Sequence, residues 1–355
     1  MNQSIRRICL TATAACGLLL SPASAQTTAT TDPVGAMTVN VPEHDGSGRV
    51  SMLVSVPFAT SAEAEFIVES VSGNLIESAD STFSDQAFSL TDSNGNPLYF
   101  LEIVSSPSFP ENVGLTVEIL GNTTNVLTLS EEVTGMVDSG ATAVIRKFST
   151  IDSAFGSDNK FSLKSGTSLN DVDIIYLVNN LGEWKPYYYR VSPPEFGGTG
   201  WRSADDIYTD ASNTRIEWNS ALVSRNGATT RPELSLMFSG TVKTSQSLIA
   251  IHEGNNLISY QYPTDITLED LFSDPNQLKK GTNLENSDVV YLTSHAGVWR
   301  PYYYRSSPPE FGGTGWRDSG DPYADKGSVP VPSGSAVFVR RQGLSSFYLT
   351  ESPNF

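Results

Sequence analysis

The chain has 355 residues, with 39 acidic against 22 basic side chains and a formal net charge of −17. That balance excludes binding to nucleic acid or anionic lipid by bulk charge, while the length is enough for about two or three ordinary hydrophobic cores.

The first residues carry a targeting pattern. Arg6 and Arg7 precede an apolar run from Ile8 to Leu20, and Ser21-Pro22-Ala23-Ser24-Ala25 supplies a small-residue cleavage site before Gln26. This reads as a secretory signal peptide over 1–25, too short to span a membrane. Acylation at Cys16 is disfavoured, because Thr13 stands where a lipobox needs an aliphatic residue. Both cysteines, Cys9 and Cys16, lie inside this segment, so the mature chain is expected to be exported without disulfides. Removing the segment takes away two basic and no acidic residues and leaves a net charge of about −19.

Residues 26–36 are rich in Thr and Ala and read as a flexible lead-in. From 37 onward, apolar and polar residues alternate with period two in MTVNV, RVSMLVSVPF and EFIVESVSG. Asn94-Gly95 sits between two such runs as a hairpin signal, and Gly121-Asn122 marks another turn. No stretch keeps a 3.6-residue period. The expectation for 37–140 is a small N-terminal antiparallel β-unit.

Two related units are expected to follow, over 141–243 and 247–355, with TSQS near 244–247 as their junction. EWKPYYYRVSPPEFGGTGWR at 183–202 returns as VWRPYYYRSSPPEFGGTGWR at 298–317, an offset of 115. Over 166–202 and 281–317, 24 of 37 positions are identical, the mark of an internal duplication. TIDSAF at 150–155 matches TLEDLF at 267–272, each predicting one helical turn, and SAVFVRR at 335–341 lies 115 beyond the ALVSR stretch. Short strands with tight turns make the expected fold all-β, built of antiparallel sandwich or barrel units. The terminal Phe355 would suit an outer-membrane barrel strand, but Glu351 and Pro353 break its apolar alternation.

Several motifs resemble an uncharacterised family of secreted β-rich proteins that has many paralogues in Verrucomicrobia and related bacteria. They are Asp32-Pro33-Val34-Gly35, Val71-Ser72-Gly73-Asn74, Ala143-Val144-Ile145-Arg146, the duplicated W-x-P-Y-Y-Y-R stretch, and Gly334 followed by Val337-Phe338-Val339-Arg340-Arg341. The resemblance implies export and a β-rich fold, and it implies no catalytic residue.

The duplicated stretch carries the candidate ligand residues. Aromatic rings in glycine-rich loops can serve as platforms for sugar rings, with carboxylates and guanidinium groups bonding hydroxyls. Trp184, Tyr187, Tyr189, Glu195, Trp201 and Arg202, with Trp299, Tyr302, Tyr304, Glu310, Trp316 and Arg317, could supply two such sites. The competing expectation is that these rings fill the core and cover it under a long loop. Asp206-x-Tyr208-x-Asp210 and Asp321-x-Tyr323-x-Asp325 could share calcium, or could simply form polar turns. Catalytic signatures are lacking: His44, His252 and His295 share no ligand spacing, and no nucleophile motif occurs. A glycosidase would need only two carboxylates, such as Glu195 with Asp206, yet that pair recurs as Glu310 with Asp321. The expected function is a non-catalytic structural or interaction protein of the envelope or exterior. A glycan-binding module with two aromatic sites, calcium-assisted or not, is the alternative, and a polysaccharide-active enzyme comes third. Expected partners are polysaccharide or other envelope components, with no cofactor.

Overall fold

The computed structural model describes residues 33–355 except 47, 81, 180, 227, 228 and 344. The expected signal peptide and the lead-in up to residue 32 lie outside the described residues. Strands take 44 % of the chain against 8 % helix, which makes the protein all-β. The named strands pair antiparallel throughout. Both predicted helical turns form, Ile151–Phe155 and Leu268–Leu271, each behind a capping box from Thr150 or Thr267.

Six strands close a barrel: Ala62–Ser72, Leu75–Ser78, Val126–Leu129, Thr116–Asn122, Tyr99–Ser105 and Thr142–Lys147, in that order. Alternate residues fill it. Val117 and Ile119 are buried while Leu120 is exposed, as period two requires. Phe66, Phe83, Phe88 and Tyr99 line up edge to face at 5.6, 5.6 and 5.3 Å between centroids.

Two five-stranded sheets make up most of the rest. The first runs Gly200–Ser203, Trp184–Arg190, Ile174–Val178, Ser220–Asn226, Arg49–Ser55. The second runs Gly315–Asp318, Trp299–Arg305, Val289–Thr293, Ala336–Arg341, Gly254–Ser259. A two-stranded ribbon packs against each. Val34–Val41 with Leu234–Thr241 covers the first, so that Val39, Leu236 and Phe238 meet Ile175, Tyr187 and Trp201. Ser247–Ile251 with Phe347–Glu351 covers the second, so that Ile249 and Leu349 meet Val290, Tyr302 and Trp316. Each assembly is therefore a small sandwich.

The registers correspond. Ile175 pairs with Tyr187 and Val290 with Tyr302; Tyr189 pairs with Trp201 and Tyr304 with Trp316. The offset becomes 116 at the next strand, because Tyr176 faces Leu222 while Tyr291 faces Phe338. The 115 alignment of SAVFVRR with ALVSR is thus one residue out, owing to one extra residue in the preceding loop.

The linear boundaries expected from sequence do not follow the pairing. Val34–Val41, whose first three residues fall in the expected flexible lead-in, is paired along its whole length with Leu234–Thr241. Arg49–Ser55, expected in an N-terminal unit, is an edge of the first sheet. Thr142–Lys147, expected to open the unit at 141, belongs to the barrel. The barrel is spliced into the first sandwich: the chain leaves after Phe58 and returns at Ser149. The two sandwiches then pack through Leu53, Val178, Leu257 and Ala336, flanked by Trp184, Leu222, Trp299 and Phe338.

Candidate functional site

The duplicated stretch builds the same structure twice, starting from its strand. In Trp184–Arg190 the Tyr187 side chain enters the sandwich core and Tyr188 packs on the other face, with Val172 and Ile174. Trp201, from the next strand, is 1 % exposed and donates its indole N–H to the Gly156 carbonyl at 2.7 Å. It stacks edge-on with Tyr189 at 5.4 Å and Phe155 at 6.3 Å. Trp316 is 2 % exposed and lies edge-on to Tyr304 at 5.5 Å and tilted against Phe272 at 5.6 Å. Trp184 and Trp299 are half-buried where the two sandwiches meet, 5.3 and 6.1 Å from the Phe338 ring. The Trp201 and Trp316 rings have no open face and cannot act as platforms. Burial pushes the pKa of the Tyr187 and Tyr302 hydroxyls up.

The arginines do structural chemistry. Arg202 is buried; Nη1 donates to the Trp201 carbonyl at 2.7 Å and to Asp210 Oδ1 at 3.3 Å, and Nη2 to the Gly197 carbonyl at 2.7 Å. Arg317 repeats this on Trp316, Asp325 and Gly312 at 2.7, 3.0 and 2.8 Å. Asp210 and Asp325 are therefore guanidinium partners. Asp206 accepts N–H bonds from Tyr208 and Thr209 at 2.9 and 3.2 Å, and Asp321 from Tyr323 and Ala324 at 3.1 and 3.0 Å. These bonds hold both carboxyls below their ordinary pKa, the Thr209 side chain contributing most at Asp206 and the Ala324 N–H most at Asp321. The four aspartates make polar turns, and among the described residues no group of three or more His, Cys, Asp or Glu is placed to hold a metal ion.

The rigid product is the loop. Pro193 and Pro194 lead into one 3₁₀ turn, and Gly197 and Gly198 adopt φ of +99° and +68°. A Cβ on Gly197 would stand 2.7 Å from the Ile207 carbonyl, so glycine is required there. Arg190 donates from Nη2 to the Phe196 carbonyl at 2.9 Å. The loop so fixed leaves Glu195 and Glu310 exposed. It also leaves Phe196 60 %, Phe311 61 %, Tyr208 69 % and Tyr323 68 % exposed. Both phenylalanines and both tyrosines were missed as candidates, although each pair recurs at the same offset of 115; the tryptophans expected as platforms are instead large apolar rings that the core buries.

A second feature lies where the barrel meets the first sheet. The turn at 92–96 is held by Asp92 Oδ1, which accepts from the Asn94 and Asn96 N–H at 2.8 and 2.9 Å. Its Asn94 amide reaches the Tyr187 hydroxyl at 3.2 Å. A cleft of about 400 Å³ opens beside this contact, lined by Asp92, Asn94, Tyr187, Asp205, Asp206 and Asp210 among others. Three residues expected to bind ligand or metal, Tyr187, Asp206 and Asp210, are thus brought to one cleft, while Glu195, Trp201 and Trp184 are not.

Two buried aspartates were also missed. Asp173 accepts from the Lys164 and Asn226 N–H and from Arg231 Nη1 and Nη2 at 2.9, 2.8, 2.7 and 2.8 Å. Asp288, 115 residues on, accepts from the Lys279 and Gln342 N–H at 2.8 and 2.6 Å and faces Arg341 at 3.7 Å. Their identity within the duplicated stretch was the available signal. No known protein family matches this chain, and no curated protein matches it.

Proposed function

We propose that the protein is an exported, non-catalytic component of the cell envelope or exterior whose role is structural or adhesive. The observation that carries this reading is the use made of the duplicated stretch. Its tryptophans, arginines and aspartates are consumed in filling cores and stapling loops, and the residues left facing water on those loops are apolar and acidic rather than arranged as acid, base and nucleophile. The basic–apolar–small start supports export. No helix among the described residues is long and apolar enough to cross a membrane, which says nothing about attachment by other means.

Cell fractionation with mass spectrometry of the native protein tests this. The expected result is a mature N-terminus at or near Gln26 outside the cytoplasm. An intact Met1 in the cytoplasm would overturn the proposal.

A further inference from the structure

The fold exposes the same two aromatic rings twice. Phe196 and Phe311 differ by one percentage point in exposure, as do Tyr208 and Tyr323. Within each loop the two rings flank one glycine: Phe196 precedes Gly197, whose added Cβ would lie 3.6 Å from Tyr208 Cδ1, and Phe311 precedes Gly312, whose added Cβ would lie 2.9 Å from Tyr323 Cδ1. The rings cannot fold back into the core, because Arg202 and Arg317 pin the carbonyls of those glycines and Ser192 and Ser307 pin the carbonyls of the phenylalanines. The backbone that carries the phenylalanines is thus fixed, and the Tyr208 and Tyr323 N–H groups are held by Asp206 and Asp321. The rings are presented on preorganised loops, with Arg305 lying 5.5 Å over the Tyr323 ring, an arrangement that lowers the ordering cost of binding.

We propose that the Phe196–Tyr208 and Phe311–Tyr323 surfaces are two equivalent binding sites for a neutral polysaccharide. This rests on the interaction role proposed above and names its partner. The occupant follows from three observations. Flat rings fixed at an exposed surface match the apolar C–H faces of pyranose rings. Glu195 with Asp206 and Glu310 with Asp321 place two exposed carboxylates beside each pair of rings, against the one guanidinium of Arg305 over Tyr323, so the local balance accepts hydroxyl donors and disfavours anionic polymers. Finally, the surface exists twice on one body, and a chain of repeating sugar units offers the same epitope many times, whereas a globular protein partner offers it once. The two sandwiches are packed together through Leu53, Val178, Leu257 and Ala336, and a polymer long enough to bridge both sites would gain avidity of about 10²–10⁴.

The test is affinity electrophoresis of the full mature protein in native gels cast with mixed-linkage β-glucan, laminarin, xylan, galactomannan or polygalacturonate. Retardation is expected in at least one neutral gel and not in polygalacturonate. Phe196→Ala or Phe311→Ala alone should weaken it by about tenfold or more through lost avidity, and the double variant should migrate as in an empty gel, with unchanged melting midpoints. F196L/F311L keeps the apolar area and removes the flat ring, so it should fail as the alanine pair does. Migration unchanged in every neutral gel, retardation by polygalacturonate alone, full retardation of either double variant, or a self-association in ultracentrifugation that the double variant abolishes would each overturn the proposal. An exported protein that binds no polysaccharide would refute this inference alone; a cytoplasmic protein would refute the reading beneath it.

Discussion

Gly182 and Asn255 meet where the two sandwiches join: the Asn255 amide donates to the Gly182 carbonyl at 3.1 Å, and a Cβ on Gly182 would lie 3.1 Å from the Asn255 carbonyl. The same contact is made from the other side, where a Cβ on Gly297 would lie 3.0 Å from the Ser51 carbonyl. Gly297 is the counterpart of Gly182 in the turn, and Ser51 the counterpart of Asn255 in the sheet edge, because Leu53 pairs with Leu222 as Leu257 pairs with Phe338. Each surface patch faces the other's equivalent, the relation that holds across an isologous dimer interface. Both glycines have positive φ, +73° and +75°. Gly182→Ala and Gly297→Ala should each cost about 1–2 kcal/mol from left-handed backbone alone. The double variant should also open the joint, seen as faster limited proteolysis between the sandwiches. Native protection in the double variant would contradict this account.

Trp201 is the largest fully buried side chain of the first sandwich. Trp201→Ala should cost about 3–5 kcal/mol, and Trp316→Ala a similar amount. Trp201→Phe retains most of the burial and removes one hydrogen bond, leaving the Gly156 carbonyl with the Asn159 N–H at 3.2 Å, at about 0.5–1.5 kcal/mol. Urea melts of the three variants check the order. An unshifted midpoint for Trp201→Ala would show that the ring is not part of the core.

Much of this was legible, and the limits have physical causes. Period-two alternation is a local property of a half-buried strand, so the all-β class could be read from single segments such as Thr116–Asn122. The Asn94-Gly95 turn was legible for the same reason, although Thr91 and Pro97 meet only as an isolated bridge and no strand precedes the turn. Pairing is not local. Nothing in Val34–Val41 says that its partner lies at Leu234–Thr241, and nothing in Ala143-Val144-Ile145-Arg146 says which sheet takes it. Burial of Trp201 and exposure of Phe196 depend on which way a loop is tied, and the ties are a few side-chain bonds from Arg190, Ser192 and Arg202 to loop carbonyls.

Two buried carboxyls should give opposite pH dependence. Burial pushes Glu351 up to about 8, against the Gln261 N–H bond and Lys243, and its Oε1 has no hydrogen-bond partner. A raised native pKa stabilises the fold below the unfolded value and loses that effect as pH rises through the native one. Stability should therefore fall between about pH 4.5 and 8, by at most about 1.4 kcal/mol per unit. At Glu102 burial acts upward but is outweighed by Lys243 at 2.5 Å and Arg146 at 2.8 Å, so its pKa is lowered. Its contribution is present above the unfolded pKa and lost only as pH falls below about 4.5. Glu351→Gln should flatten the upper limb and leave the acid limb. Equal wild-type midpoints at about pH 5 and pH 8 would sink this assignment.

The barrel should be removable. Thr60 donates to the Lys147 carbonyl at 2.5 Å, so entry and exit lie side by side. In the second sandwich the corresponding connection is only the short run from Tyr260 to Asp265, which shows what length suffices. Replacing 61–146 by a linker of that length should leave both sandwiches folded, because their cores draw on no residue of that segment. The loss falls on contacts at the seam. Arg215 gives up Glu118 at 2.6 Å and the Pro97 carbonyl at 3.0 Å, though it keeps Glu217 at 2.6 Å. Tyr187 loses the Asn94 amide, and Leu248, buried in the barrel's cluster, becomes exposed. Uncovering Leu248 alone should cost about 1.5–3 kcal/mol, and Arg215 should add little to that, because Glu217 still balances its charge in a more open site. The shortened protein should show a β-sheet circular dichroism spectrum and one cooperative melt at a lower midpoint, with Leu248→Ser improving its solubility. A chain without cooperative unfolding would mean that the barrel, rather than the sandwiches, nucleates the fold.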